Sequence, residues 1–212
     1  MKSLAAQCRE LASAAMREGI FQAALQVVRE AGFEGLTMDR VAEIAGVAKG
    51  SLYNYFPTKQ ALLEFIFERV VTPAIDRVRA VVSSSLSPIE KLRSVLQLWF
   101  EHFGEYRGVF ETIFADKTVR QFCSDARRTK YGEGLALLEA IFREGIERGV
   151  FRAIDPQVAS EVVLGALILP IERDLDSGQR RSAIEWVEKF LDLILWGLSS
   201  SGPAGSCATP GN

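Results

Sequence analysis

The chain has 212 residues, of which 48% are hydrophobic and 25% charged, and its formal net charge is −2. This composition excludes a wholly disordered chain, and the length allows one domain or two small ones around a core that needs neither disulfides nor metal. Three scattered cysteines and a single histidine match neither a disulfide framework nor a zinc site, so we expect no metal and no cofactor.

The sequence predicts neither a membrane segment nor an export signal. The longest charge-free apolar run, residues 162–171, is about half of what a bilayer span needs. Arg9 and Glu10 interrupt the N-terminal segment before the apolar region of a signal peptide could form. We therefore expect a cytoplasmic protein with reduced thiols.

The first predicted element is a long helix over residues 4–31, which are rich in good helix formers. Its core-facing stripe has apolar residues at helical spacing: Ile20, Ala23, Ala24, Val27 and Val28. Gly32 is the predicted stop. Gly19 lies inside the helix, where it costs about 1 kcal/mol relative to alanine.

Two short helices are predicted next. Thr37 can cap the first, over residues 38–45, and Gly46 ends it. The second spans residues 48–56 and is followed by proline, and Thr58 can cap the helix after it.

Helices also dominate the rest of the chain, so the predicted fold class is all-α. We predict helices over residues 59–84, 88–106, 108–115, 117–148, 156–176 and 179–198. Ser87 and Asp155, each followed by proline, are N-cap signals, and Gly149 is a stop signal. Pro73 and Pro170 lie inside two of these helices and are expected to kink or end them.

The predicted organisation is a first domain over residues 1–58, a second over residues 59–198 and a tail over residues 199–212. The tail is rich in Ser, Gly, Pro and Ala, which predicts disorder. Charge is divided unevenly between the domains. The first sixty residues carry seven basic and six acidic groups, and the remainder carries eighteen and twenty-one.

The two short helices carry the strongest functional signal. A pair of short helices joined by a tight Gly-Val turn follows the helix-turn-helix plan. Between Glu43 and Glu64 the chain has no acidic residue but two lysines, Lys49 and Lys59. An acid-free basic window of this kind is expected where a surface meets a polyanion.

The second short helix presents groups that can bond phosphates and base edges: Lys49, Ser51, Tyr53, Asn54 and Tyr55. Its first turn also offers backbone N–H groups and the positive end of the helix dipole. From these residues alone, the alternative is a helical hairpin that only fills the core.

A longer pattern resembles a known family. The residues that carry it are 17–24, Ala31-Gly32-Phe33, Leu36-Thr37-Met38, Val41-Ala42, Ala45-Gly46-Val47, Lys49-Gly50-Ser51-Leu52-Tyr53-Asn54-Tyr55-Phe56, Lys59 and Leu62-Leu63. Over about 47 residues they are similar, almost without gaps, to the N-terminal domain of the TetR/AcrR transcriptional repressors. The resemblance implies an all-helical homodimer of about nine helices per subunit. It also implies a ligand-responsive repressor that binds a palindromic DNA operator.

The resemblance assigns roles in DNA binding by position. The residues it implies are Thr37, Lys49, Gly50, Ser51, Tyr53, Asn54, Tyr55 and Lys59. In this assignment Thr37 and Lys59 bind phosphates, and the second short helix is the recognition helix. Leu52 and Phe56 belong to the core. Ala48 departs from the family, in which a capping Ser or Thr is usual, so the recognition helix lacks a side-chain cap.

The last two predicted helices are apolar on nearly all sides, which indicates burial against two partners. One partner is the core of the subunit and the other is a second subunit, in line with the four-helix dimer interface that the resemblance suggests. The candidate interface residues are Val162, Leu167, Trp186, Phe190 and Ile194. The alternative is a core formed within one chain.

The middle of the chain is rich in aromatic residues, which suits an apolar or aromatic effector. The candidate ligand-binding residues are Phe65, Trp99, His102, Phe103, Tyr106, Phe110 and Phe114. A basic cluster formed by Arg120, Arg127, Arg128 and Lys130 leaves open an acidic effector such as an acyl-CoA.

Two other classes of function are alternatives to the repressor. An enzyme is disfavoured because His102 has no evident triad partners, and because the Lys49 segment lacks the glycine spacing of a phosphate loop. A helical interaction module that does not bind DNA remains an alternative.

Overall fold

The computed structural model describes residues 3–32, 34–110, 124–177 and 182–198; within these ranges it leaves out the side chains of residues 124–127, 168–177, 183 and 196–198. The helices are α1 (Leu4–Ala31), α2 (Met38–Ala45), α3 (Lys49–Tyr55), α4 (Lys59–Val82), α5 (Pro88–Glu105), α6 (Ser124–Glu147), α7 (Pro156–Ser177) and α8 (Ala183–Leu198). Residues 107–110 are also helical. The predicted all-α fold class is confirmed.

The predicted caps of the short helices are present. The Thr37 hydroxyl accepts a hydrogen bond from the Arg40 N–H at 3.2 Å, and α2 ends at Gly46 with a left-handed φ of 66°. The Thr58 hydroxyl accepts from the Ala61 N–H at 3.0 Å. Helix α3 follows Ala48 without a side-chain cap, as the sequence predicts.

The later helices also begin and end largely where predicted. Ser87 and Glu90 form a reciprocal capping box, in which the Ser87 N–H donates to Glu90 Oε2 at 2.8 Å and the Glu90 N–H donates to Ser87 Oγ at 3.4 Å. Asp155 Oδ1 accepts from the Gln157 N–H at 2.8 Å. Gly149, with a φ of 67°, follows α6.

The structure corrects one detail of the predicted helices. Helices α4 and α7 run through Pro73 and Pro170, so neither proline ends its helix. Of the predicted helix over 117–148, α6 covers Ser124–Glu147, and residues 117–123 lie outside the described residues. The predicted helix over 108–115 lies partly outside the described residues, and the tail after residue 198 lies wholly outside them.

Packing divides the chain into two compact units. The first comprises Met1–Thr72 and Tyr106–Thr129. In it α1 packs on α2 and α2 packs on α3. Its fully buried side chains are those of Ile20, Ala24, Val27, Leu36, Val41, Leu52 and Leu62. Around the turn between α2 and α3, Val41 and Ala42 are buried, and Ile44, Ala45 and Val47 are half-buried.

The second unit comprises Pro73–Glu105 and Lys130–Asn212. Its core takes residues from the end of α4 and from α5, α6, α7 and α8; the fully enclosed ones are Val78, Leu92, Val95, Leu96, Leu138, Ile141, Phe142, Leu167 and Val187. These two units are defined by packing within the chain. The domain boundary predicted at residue 58 is a functional division, and it stays a prediction. Within the described ranges, every helix is too short or too polar to cross a bilayer.

One charged pair lies at the edge of the second core. The Lys91 side chain is 6% exposed, and its Nζ donates to Glu144 Oε2 at 2.7 Å. Arg148 donates to the other oxygen of Glu144 at 2.8 Å from a position that is 53% exposed. Lys91 and, after it, Arg148 hold the pKa of the Glu144 carboxyl below its usual value by hydrogen bonding to the charged form.

We expect Glu144→Ala to lower the free energy of unfolding by about 3 kcal/mol at pH 7, because it leaves a buried ammonium without its carboxylate. Arg148→Ala is the matched control and should cost less than about 1 kcal/mol, since that pair is exposed. Adding Lys91→Met to Glu144→Ala should restore much of the loss. Urea unfolding measures all three variants, and equal effects of Glu144→Ala and Arg148→Ala would contradict the assignment.

The same pair predicts an acid dependence of stability. Because the folded-state pKa of Glu144 is lowered, its contribution is complete above the unfolded-state pKa of about 4.3 and is lost as the pH falls through the lower folded-state value. The difference in unfolding free energy between wild type and Glu144→Ala should therefore shrink below about pH 4.

Two glycines in the first unit should respond oppositely to alanine. Gly19 is exposed inside α1, and an added Cβ would meet no atom within 4 Å. Gly19→Ala is thus expected to raise the free energy of unfolding by about 0.5–1 kcal/mol. Gly46→Ala should lower it by about 1–2 kcal/mol, because a Cβ is strained at this φ. Urea unfolding followed by circular dichroism tests both, and a destabilised Gly19→Ala protein would contradict the first.

Candidate nucleic-acid interface

Helix α3 divides its side chains between the core and the solvent. Leu52 and Phe56, one turn apart, are 0% and 2% exposed and anchor the helix in the first unit. Lys49, Tyr53 and Asn54 are exposed on the other side. A short helix held by two buried residues, with polar and aromatic groups on its outer face, has the arrangement of a recognition helix.

The remaining predicted DNA contacts differ in their exposure. Thr37 is exposed, and its hydroxyl keeps its hydrogen for a phosphate because the capping bond uses only the oxygen as acceptor. Ser51, Tyr55 and Lys59 are half-buried. The exposed outer face of α3 therefore consists mainly of Lys49 and the residues at positions 50, 53 and 54.

Gly50 is exposed in the first turn of α3, and an added Cβ would meet nothing within 4 Å inside the chain. No packing in the described part of the chain therefore requires a glycine here. A glycine on an exposed recognition helix allows the backbone of a partner to approach closely.

Arg17 ties the recognition helix to its neighbours, a role that sequence analysis did not assign. Its guanidinium lies 5.4 Å from the ring centre of Phe56, 5.6 Å from that of Phe65 and 6.0 Å from that of Tyr55. Each contact of this type is worth about 0.5–1 kcal/mol at an exposed site. The arginine was visible in the family pattern, but the rings it contacts come from two other helices.

Phe65 belongs to this aromatic cluster. Its ring centre lies 4.9 Å from that of Phe56 and 6.3 Å from that of Phe21. Phe65 therefore supports the recognition helix, and we remove it from the set of predicted effector contacts.

Two ion pairs hold α1 against its neighbours. Glu18 binds Arg69 of α4, and its pKa is lowered by hydrogen bonds from Gln22 and then from Arg69. Arg40 of α2 lies 3.4 Å from Glu30 of α1. Both pairs are exposed, so they contribute modestly to stability.

An acidic residue from outside the basic window, Asp39, partly neutralises the charge of that window in the folded chain. Lys49 Nζ lies 2.6 Å from Asp39 Oδ1, and the two side chains are 58% and 66% exposed. The hydrogen bond to Asp39, with the attraction between the charges, raises the pKa of the Lys49 ammonium above its usual value. This partner is not evident from the sequence, because Asp39 precedes the acid-free window and only the turn brings α2 back to α3.

Two of the five predicted interface residues are buried in the core of the chain itself, and Trp186 packs against that core. Leu167 is 0% exposed and Phe190 is 9% exposed. The Trp186 ring is stacked between Phe100 and Phe190, with ring centres 5.1 and 4.8 Å away. Leu167, which has no exposed surface, cannot contact a second subunit directly in this conformation.

The other predicted interface residues lie at an apolar surface of the second unit. Val158 and Val162, one turn apart on α7, are 55% and 59% exposed. Leu193 on α8 is 74% exposed. A groove of about 490 Å³, lined by residues 152–155, by α7 and by Ile194, adjoins this stripe. We call Val158, Val162 and Ile194, which line this groove, the α7–α8 surface.

The predicted effector residues stay a prediction. Trp99 and His102 are buried in the second unit, and Phe103 packs against the core of that unit. Phe110 is buried in the first unit, to which the half-buried Tyr106 also belongs. Phe114, Arg120 and the side chain of Arg127 lie outside the described residues. Of the basic cluster, Arg128 is exposed and Lys130 binds Glu133 at 3.0 Å.

Comparison with known proteins identifies the family. Residues 20–66, which include α2, α3 and their turn, match the model of bacterial regulatory proteins of the tetR family. The chain belongs to the TetR family. This family consists of transcriptional regulators and is not enzymatic, so this chain is a transcriptional regulator, and the enzyme and the interaction module are set aside.

Relatives of this TetR-family chain match it along most of its length. It is 25% identical over 194 residues to the transcriptional repressor KstR2 of Mycolicibacterium smegmatis, covering 89% of this chain and 93% of that protein. It is 24% identical over 184 residues to the fatty acid metabolism regulator protein of Bacillus subtilis, covering 84% and 93%. The crystal structure of FadR from Bacillus subtilis in complex with stearoyl-CoA has the same fold, with a TM-score of 0.72, 22% identity and coverage of 85% and 98%.

Proposed function

We propose that this regulator is a repressor that binds a palindromic operator as a homodimer and is released by a small-molecule effector. The observation that carries the proposal is the α2–α3 hairpin inside the family-matched segment, with α3 anchored by two buried residues and polar on its outer face. Operator binding also places the protein in the cytoplasm, where the DNA is.

In this proposal α3 enters the major groove. Tyr53 and Asn54 contact base edges and the DNA backbone. Lys49 binds a DNA phosphate in place of the Asp39 carboxylate. Gly50 lets the sugar-phosphate backbone approach α3. Thr37 and Lys59 bind phosphates beside the groove and fix the register of the helix.

The α7–α8 surface supports the homodimer. Exposed apolar residues in contiguous patches mark interaction sites, and these flank a groove that a helix of a second subunit can enter. Gly165, one turn after Val162, is also exposed and would let two helices approach closely. A two-fold dimer then presents two recognition helices to half-sites about 34 Å apart.

Selection from a random-sequence DNA library tests operator binding. The purified protein should enrich a palindrome with two half-sites about one helical turn apart at moderate salt. Enrichment of no sequence, or of a single half-site only, would contradict the proposed dimeric repressor.

For the effector we propose a long-chain acyl-CoA as the first compound to test. The support is the sequence similarity to a fatty acid metabolism regulator and the shared fold with a protein solved with stearoyl-CoA. The effector acts by population shift, so it must bind the DNA-released state more tightly than the DNA-bound state.

Competition on the selected operator tests the effector. Stearoyl-CoA should release the protein, whereas CoA alone and free stearate at equal concentration should not. Release by all three, or by none of them, would contradict an acyl-CoA effector and leave operator binding as a separate result.

Gly50→Ala separates a DNA role from a folding role. Because the added Cβ meets no atom of the chain, the free energy of unfolding should stay equal or rise by up to about 1 kcal/mol. Operator affinity should fall by about tenfold, which corresponds to about 1.4 kcal/mol of binding free energy, because the added methyl group occupies space that the DNA backbone would approach. Fluorescence anisotropy and urea unfolding measure the two effects, and unchanged affinity would remove Gly50 from the interface.

A further inference from the structure

Asp39 lies at a position where its carboxylate can affect DNA binding. It belongs to the first turn of α2, and the helix-capping bond of α2 comes from Thr37 rather than from Asp39. Its side chain instead crosses to Lys49, the first residue of α3, at 2.6 Å. Both residues are more than half exposed.

This ion pair matters little for folding but directly involves a proposed DNA contact. Exposed pairs contribute little to stability, because water solvates both charges well when they separate. A DNA phosphate and the Asp39 carboxylate are chemically similar partners for a lysine ammonium. The atom of Lys49 that would meet a phosphate is the atom that Asp39 already holds.

We propose that Asp39 competes with DNA phosphate for Lys49 and thereby holds down the affinity of the regulator for DNA. The inference rests on the proposed operator binding. In the free protein Lys49 binds Asp39, and on DNA a phosphate displaces this carboxylate from the Lys49 ammonium.

The competition acts on affinity and not on sequence preference. Lys49 meets a phosphate in the operator and in unrelated DNA alike, and phosphate contacts carry no direct sequence information. Removing Asp39 therefore strengthens binding to both DNAs by a similar factor, while the ratio of the two affinities stays the same.

Four variants test this competition: Asp39→Asn, Lys49→Gln, the double variant and Glu43→Gln. Glu43→Gln is the matched control, since Glu43 is an exposed acid one turn after Asp39 on the same helix. Asp39→Asn should bind the operator and scrambled DNA about two- to fivefold more tightly than wild type, the range expected from an exposed ion pair. Its logarithmic salt dependence should steepen by up to about 0.9.

The double variant decides between competition and simple repulsion. If Asp39 acts through Lys49, then Asp39→Asn has no further effect in the Lys49→Gln background, and Glu43→Gln raises affinity less than Asp39→Asn does. Equal tightening in both backgrounds, or weaker binding by Asp39→Asn, would overturn the inference. Failure of the wild-type protein to bind any DNA would instead overturn the proposed function, and this inference with it.

Discussion

A protein that carries Val158→Asp and Val162→Asp is expected to sediment as a monomer and to bind the operator about a hundredfold more weakly than wild type. Both valines are more than half exposed and one turn apart on α7. Their carboxylates would have to be desolvated in a subunit interface, which is costly without a partner. A monomer also loses the gain of about 10²-fold or more that linking two half-site contacts provides.

The structure offers a control for this variant. Leu11 on α1 is 71% exposed and apolar, but it lies outside the α7–α8 surface. Leu11→Asp should therefore leave the protein dimeric. Sedimentation velocity measures the oligomeric state, and a dimer that survives both aspartates on α7 would show that the α7–α8 surface is not the interface.

Two adjacent residues of α3 should have different effects when replaced: Leu52 should affect stability, and Tyr53 should affect DNA binding. Leu52→Ala is expected to lower the free energy of unfolding by about 2–5 kcal/mol, because Leu52 is 0% exposed and its loss leaves a cavity. Tyr53→Ala should change stability by less than about 0.5 kcal/mol, since Tyr53 is 40% exposed. Operator affinity of Tyr53→Ala should fall by about five- to 150-fold, equivalent to about 1–3 kcal/mol for a lost base or backbone contact.

Urea unfolding and fluorescence anisotropy on the selected operator distinguish the two replacements. Sedimentation of Tyr53→Ala should still report a dimer. A Tyr53→Ala protein that is folded, dimeric and fully active on DNA would show that α3 does not use this face.

The local signals of the sequence were sufficient to predict the helix-turn-helix. Caps and stops depend on neighbours within four residues, so Thr37, Gly46 and Thr58 mark the same positions in the sequence and in the structure. The buried pair of α3 follows from helical spacing in the same way, because Leu52 and Phe56 are four residues apart.

Contacts between helices could not be predicted in this way. The carboxylate that binds Lys49 is ten residues away along the chain, and the rings that Arg17 contacts belong to α3 and α4. Each pairing depends on how the helices cross, which no local pattern specifies.

Burial divides the predicted interface residues between the core of the chain and its surface. Helices α7 and α8 are apolar on both sides, so hydropathy alone cannot separate the core side from the exposed side. The structure makes this division: Leu167 faces the core of the chain, and Val162 faces solvent. The net charge of −2 was similarly uninformative, because the charges relevant to DNA are local and one of them is paired with Asp39.

Recognition of DNA sequence by the outer face of α3 is measured by the ratio of affinities for the selected operator and for a scrambled duplex of equal length, determined by competition at one fixed salt concentration. Wild type should prefer the operator by about 10³-fold or more. A protein that carries both Tyr53→Ala and Asn54→Ala should show a much smaller preference. Equal affinity of the wild-type protein for the two duplexes would show that α3 does not recognise a DNA sequence.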